Sequence, residues 1–259
     1  MLARPEVHNA LNDIMIHEVS SFFTQIEENS RVRIIVIRGL GKSFCSGADL
    51  VWMKNAFTLS QQENLKESFE LSDMFGLIFK SSKVVIGAVH GNVFGGGNGI
   101  VAACDLAYCL SDSKYSLSET RIGMAAASIT PYLLQKMEAS DLKELIFTAR
   151  NFTGDEAAKY NLVNQSFSTA NEMESYVNEI IQGIISNGSK AIAESTRLIN
   201  QLTELGISEK MEQIPELLAK IRGVRRGPGG FFSFSRKKKT KMAMIIPGIL
   251  FMLQNIINQ

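Results

Sequence analysis

Apolar residues recur at near-helical spacing through the first thirty positions of the chain. Leu11, Ile14, Ile16, Val19, Phe22, Phe23 and Ile26 predict an amphipathic helix over Asn9 to Glu28. The pattern then changes period. Ile34 to Ile37, inside Val32 to Gly39, is an unbroken β-branched run ending at glycine and predicts a buried strand. Val84 to Val89 predicts a second buried strand, followed by a glycine-rich turn from Gly91 to Gly99. A short helix of small residues, Ile100 to Ala103, and a third strand, Leu106 to Leu110, come next. Strands alternating with helices imply an α/β fold. From Asn171 onward the spacing is helical, with Ile180, Ile181, Ile184, Ile185, Ile192 and Leu198 as apolar anchors. The chain thus divides into an α/β core over residues 1–195 and a helical C-terminal region over 196–259.

The pattern changes again near Gly223. Gly227-Pro228-Gly229-Gly230 interrupts regular structure, and Arg236-Lys237-Lys238-Lys239 is a basic run. Met242 to Leu253 is apolar but contains Pro247-Gly248 and is shorter than the roughly 20 residues that span a bilayer. Two readings stay open for this tail: a poorly ordered or locally packed segment, or a membrane-surface anchor made of adjoining basic and apolar stretches. The first is preferred, so a membrane is not an expected partner.

Composition narrows the functional classes. The 259 residues are 45% hydrophobic and 20% charged, which suits one globular domain or one with an appendage. A formal net charge of +1 gives no global field for nucleic acid, and none is expected as a partner. Three cysteines, Cys45, Cys104 and Cys109, form neither a disulfide framework nor a zinc-ligand spacing. A reducing compartment follows, and the cytoplasm is expected. The start, Met1 to Glu6, lacks the charged and apolar regions of a signal peptide.

The densest local signal is Ala88-Val89-His90-Gly91-Asn92-Val93-Phe94-Gly95-Gly96-Gly97-Asn98-Gly99. Glycines after a strand let the backbone turn sharply and approach a ligand closely. A helix starting there offers N–H groups without internal partners, able to bind an anion or a developing oxyanion. A dinucleotide fingerprint fails, because Ile100 stands where its last glycine belongs; a phosphate loop fails for lack of Gly-Lys-Ser/Thr. The plainer reading is a tight structural turn.

A second segment, Gly41-Lys42-Ser43-Phe44-Cys45-Ser46-Gly47-Ala48-Asp49-Leu50, follows the first strand. Together the two resemble the paired oxyanion-hole signatures of the crotonase (enoyl-CoA hydratase/isomerase) family: a Gly-Ala-Asp-Leu loop, then a Gly-Gly-Gly turn opening a helix that ends in Ala103-Cys104-Asp105. Arg4-Pro5-Glu6-Val7-His8-Asn9-Ala10-Leu11 resembles the family's opening motif. Ser116 to Gly123 resembles the segment with its acid/base glutamate, and Phe152 to Ala158 with Asn161-Leu162-Val163 a later helix and turn.

The resemblance implies a ββα spiral core and an acyl-CoA substrate. It implies oxyanion-binding N–H groups at Ala48 and Gly96, with Glu119 as acid/base. It places Gly47, Asp49, Leu50, Gly95, Gly97 and Gly99 around the substrate. No metal or resident cofactor is implied; coenzyme A enters with the substrate. The assembly implied is a homotrimer or a dimer of trimers. Gly99 stands where family hydratases carry a second glutamate, and it cannot transfer a proton. A single glutamate resembles the isomerases, and also a methylglutaconyl-CoA hydratase-like subgroup whose Phe-Gly-Gly-x-x-Gly turn matches Phe94 to Gly99. Water addition to a 2-enoyl-CoA, branched or glutaconyl-type, is therefore the expected activity. The alternatives are isomerisation or acyl-CoA binding without catalysis.

Other residues read as structural: His90 as a packed strand end, Trp52 and Met53 as core or acyl-pocket lining, Asp49 as a helix cap as well as a site position. Cys45 has no histidine partner for nucleophilic work. At the two ends the resemblance weakens. An edge strand before Arg4-Pro5 is shortened or missing, and the text after Arg222 departs from the family pattern as a shifted reading frame would.

Overall fold

The computed structural model describes residues 1–205, so the tail after Arg222 and most of the C-terminal region lie outside the described residues. After a single 3-10 turn at Pro5–Val7, helix α1 spans Asp13–Glu27. Strands β1 (Ile34–Arg38) and β2 (Ser43–Cys45) follow, then helices α2 (Leu50–Ala56) and α3 (Gln61–Phe79). Next come β3 (Val84–Val89), β4 (Asn92–Phe94), α4 (Gly96–Ala103), β5 (Leu106–Leu110) and β6 (Lys114–Ser116). A 3-10 turn at Glu119–Ile122 leads to α5 (Thr130–Leu133), α6 (Ala139–Thr148), β7 (Asn151–Thr153), α7 (Gly154–Lys159), β8 (Gln165–Phe167), α8 (Ala170–Ser186) and α9 (Ser189–Leu205). The boundary expected at residue 195 falls inside α9.

The strands form two four-stranded sheets. One is parallel throughout, in the order β1-β3-β5-β8; the other runs β2-β4-β6-β7 with only its last pair antiparallel. Each layer contributes one strand to each sheet, which is the expected ββα spiral in an α/β fold. Strand β3 explains why the layers stay dry. All six of its residues are buried. Successive side chains point to opposite faces. Val85 and Val89 enter the main core, while Val84, Ile86 and Ala88 join Tyr108, Met173, Val177 and Ile181 beneath α8. A strand buried on both faces must be apolar at every position, and that is the run seen in the sequence.

Two boundaries differ from expectation for identifiable reasons. Helix α1 starts at Asp13 rather than Asn9, because Asn12 caps it by accepting from Met15 N at 3.0 Å. Asn9 instead takes a left-handed conformation, φ 55°, and its amide donates to Leu40 O and Ser43 O. Ile14, expected as an anchor, is exposed. Helix α4 starts four residues earlier than expected, at Gly96.

The C-terminus of α8 is held from the first sheet. Arg33, just before β1, donates to the carbonyls of Ile184, Ile185 and Asn187 at 2.7–3.1 Å. A cation on the free carbonyls at a helix end is favourable for both hydrogen bonding and the helix dipole. Arg33→Ala is expected to destabilise by about 1–2 kcal/mol. In a chain of this size that lowers Tm by about 2–8 °C, which calorimetry would read.

Candidate active site

The loop after β2 is the first wall of the site. It zips onto the residues preceding α1: Ser46 N donates to His8 O, Leu11 N to Gly47 O at 2.7 Å, and Asp49 N to Leu11 O at 2.8 Å. The Gly47 carbonyl and the Ala48 N–H belong to one trans peptide and point opposite ways. With the Gly47 carbonyl held by Leu11, the Ala48 N–H faces away from that ladder. Gly47 has φ 89°, and a methyl there would lie 2.9 Å from Phe94 O, so only glycine lets this loop touch the end of β4.

Charged groups fix the loop from below. Arg4 donates to Ala10 O at 2.6 Å and pairs with Asp49 Oδ2 at 3.0 Å. The other Asp49 oxygen accepts from Val51 N and Trp52 N, capping α2. Partial burial alone would raise the Asp49 carboxyl; hydrogen bonds from Val51, Arg4 and Trp52 outweigh it and hold the group below its ordinary value. Asp49 therefore serves the site by anchoring the loop. Leu50, expected against substrate, projects outward with 73% of its surface exposed.

The second wall is the turn from β4 into α4. Gly95, at φ 47°, precedes the helix, and its N–H donates to Ser116 O at 3.1 Å. Gly96 begins the helix, so its N–H has no partner within it. The remaining glycines answer close neighbours. A methyl on Gly96 would lie 2.9 Å from Leu11 Cδ1, and one on Gly97 2.5 Å from Cys45 O. At Gly99 it would meet Ile129 Cγ2 at 2.3 Å and the Phe75 ring at 2.8 Å. The space beside Gly99, where the resemblance sets a second glutamate in hydratases, is thus filled by Phe75 from α3 and by Ile129.

Glu119 opens the 3-10 turn after β6. That turn is held by Thr120 Oγ1 donating to Ile146 O at 2.9 Å and by Arg121 donating to Ala149 O at 2.6 Å. The carboxyl lies where the two glycine segments meet. A methyl on Gly95 would sit 3.5 Å from Glu119 Oε1 and 3.7 Å from Gly47 Cα. Glu119 Oε2 is buried with no hydrogen-bond partner. Burial raises the carboxyl above its ordinary value, outweighing the hydrogen bond from its own backbone N–H. A carboxylate kept poor in partners and short of water is suited to proton transfer.

The structure places Gly47, Gly95 and Glu119 side by side, with Ala48, Gly96 and Gly97 adjoining them along the chain. Cys45 is fully buried, and burial pushes its thiol up to about 12, so it is no nucleophile. His90 follows β3, with its Nε2 on Gly41 O at 2.9 Å. Trp52 packs partly against the core. What the reasoning missed is the support: Arg4, Asn9 and Leu11 under the first loop, Phe75 and Ile129 over Gly99.

Comparison with known proteins settles the family. The family model described as enoyl-CoA hydratase/isomerase matches residues 1–242. The chain belongs to the enoyl-CoA hydratase/isomerase family. That match runs past Arg222, as far as residue 242. Among curated family members, the mitochondrial Delta(3,5)-Delta(2,4)-dienoyl-CoA isomerase of Pongo abelii is 36% identical over 176 residues, 64% of this chain and 54% of that protein. The chain thus spans about half the length of that relative. The probable mitochondrial enoyl-CoA hydratase 2 of Arabidopsis thaliana is 32% identical over 240 residues, 92% of this chain and 78% of that protein. A crystal structure of an enoyl-CoA hydratase/isomerase from Marinobacter aquaeolei superposes with a TM-score of 0.83 at 26% identity, covering 88% of each chain. Members named for both reactions thus lie at similar distance.

Proposed function

We propose that this chain is an enoyl-CoA hydratase that adds water to a branched or glutaconyl-type 2-enoyl-CoA, as the methylglutaconyl-CoA hydratase-like subgroup does. The observation that carries the reading is Glu119, a buried carboxyl with a free oxygen, placed where the Ala48 and Gly96 segments converge. In this reading Glu119 takes a proton from water as the water oxygen bonds to C3. The π electrons of the C2–C3 bond move onto the thioester oxygen, and the Ala48 and Gly96 N–H groups hold the resulting enolate. The same carboxyl then returns its proton to C2. Losing one such donor costs about 3–4 kcal/mol of barrier. Coenzyme A arrives with the substrate, no resident cofactor takes part, and the protein works in the cytoplasm as a homotrimer or a dimer of trimers.

Isomerisation is the second reading. It is favoured by the dienoyl-CoA isomerase names at 35–36% identity and by the filled position at Gly99. Here Glu119 removes a proton from C2 of a 3-enoyl-CoA, the Ala48 and Gly96 N–H groups hold the dienolate that forms, and the same carboxyl returns the proton to C4 as the double bond moves to C2–C3. The test is incubation with crotonyl-CoA, 3-methylglutaconyl-CoA and a 3-enoyl-CoA, with products followed by mass. A gain of one water supports hydration. Double-bond migration at constant mass moves the assignment to isomerase, and binding without turnover leaves a non-catalytic relative.

The loop supports make a separate expectation. Arg4→Ala removes the partner of the Ala10 carbonyl and of Asp49 Oδ2, leaving Asp49 held only through Oδ1, and loosens the peptide that carries the Ala48 N–H. Misplacement of that donor by an ångström or less is expected to lower kcat about 10–100-fold. Steady-state kinetics against a 2-enoyl-CoA would read it.

A further inference from the structure

Asn98 lies in the first turn of α4, fully buried. Its amide nitrogen faces three backbone carbonyls: Ser116 O at 2.9 Å, Val93 O at 3.2 Å and Gly95 O at 3.3 Å. Its backbone N–H also donates to Gly95 O, at 2.9 Å. These acceptors lie on three separate pieces of the site. Val93 is in β4, Gly95 is the residue before α4, and Ser116 ends β6, three residues before Glu119. The amide oxygen Oδ1 is buried with no hydrogen-bond partner. A side chain that leaves a buried acceptor unpaired is a poor choice for packing alone. The side chain's hydrogen bonds are all made by its donor end.

The peptide between Gly95 and Gly96 explains what that donor end does. Its carbonyl and its N–H are trans and point opposite ways. Whatever grips the Gly95 carbonyl sets the direction of the Gly96 N–H. Asn98 grips it twice, with main chain and side chain, and ties the same amide to the strand that leads to Glu119. We infer that Asn98 is a positioning residue: its side-chain amide fixes the Gly95–Gly96 peptide and the end of β6 together, and so sets the oxyanion donor against the acid/base.

This inference rests on the oxyanion role proposed for Gly96, and the experiment separates the two. Cinnamoyl-CoA, a conjugated enoyl thioester, absorbs at longer wavelength when donors polarise its carbonyl oxygen. Its bound spectrum is measured with the wild-type protein, with Asn98→Ala and with Glu119→Gln. The expected result is a red shift in wild type and in Glu119→Gln, and a smaller one in Asn98→Ala. The kcat of Asn98→Ala falls about 10–100-fold with KM within about threefold, as for a donor moved rather than removed. No red shift in bound wild type overturns the oxyanion reading itself. A full red shift in Asn98→Ala, with kcat and KM changing only as its folded fraction changes, overturns the positioning role alone.

Asn98→Leu, of similar size and with no donor, gives an independent reading should Asn98→Ala fail to fold. Its red shift is expected to be smaller than that of wild type, with kcat lowered about 10–100-fold. A full red shift with wild-type kcat in folded Asn98→Leu overturns the inference.

Discussion

Replacing Glu119 by glutamine is expected to reduce kcat about 10²–10⁴-fold and, at alkaline pH, to shift the balance of stability toward the variant. The first effect follows from removing the carboxyl at the junction of the glycine segments. The second follows from its burial. The folded state holds this carboxyl above the ordinary value of 4.5. Between the unfolded and folded values the folded protein binds more protons than the unfolded chain. Stability is therefore fully present below about pH 4, falls as pH rises through the folded value, and stays lower above it. Glutamine cannot ionise and escapes that loss. Its amide brings a fixed cost, because a donor now sits where Oε2 has no partner. The difference in Tm between Glu119→Gln and wild type should move in the variant's favour from pH 4 to pH 8. Calorimetry at several pH values with matched kinetics would read both. A wild-type kcat in the variant removes Glu119 from the chemistry. A pH-independent difference in Tm means that the carboxyl is not desolvated as described. The two results together would mark a group whose ionised form is kept for function at the expense of stability.

How much of this was legible before the structure depends on how each element is buried. Strands β1, β3 and β5 could be read because they are packed on both faces or nearly so, and a run such as Val-Val-Ile-Gly-Ala-Val admits no other reading. Strands β2, β4, β6 and β7 have three residues each, too few to show any period. Helix α3 escaped because only Met74, Phe75 and Ile78 of its nineteen residues are buried, leaving Leu65 and Phe69 exposed and blurring its stripe. Within the site, the glycines and Glu119 were found through the resemblance, since a glutamate in a turn has no periodicity to announce it. Gly96 to Gly99 concealed the true start of α4, because glycine ordinarily disfavours helix. The structure gives the reason for them: each approaches something too closely for a side chain. Phe75 and Leu11 were invisible as site residues because nothing local says which glycine an apolar side chain will cover.

Gly99 is where these threads meet, and restoring a second carboxylate there is expected to fail. In an ordinary helix, alanine in place of glycine stabilises by about 1 kcal/mol. Here the sign reverses. The new Cβ would lie 2.3 Å from Ile129 Cγ2 and 2.8 and 2.9 Å from the Phe75 ring, and both neighbours are buried. Overpacking of this kind costs about 1–3 kcal/mol, so Gly99→Ala should lower stability. Gly99→Glu adds a charge among apolar side chains with no partner within reach of its first carbon, and its total cost should exceed about 4 kcal/mol. Hydration should not accelerate, since the folded fraction falls and a carboxyl displaced by the ring has no defined place. The informative variant is Gly99→Glu with Phe75→Ala, which removes the ring that occupies the space. If it folds and hydrates 2-enoyl-CoA faster than Phe75→Ala alone, packing at Phe75 is what confines this chain to one carboxylate. If Gly99→Glu by itself keeps wild-type stability, the packing described around α4 is wrong. A stable double variant that is no faster would show that packing at Phe75 is not what limits hydration.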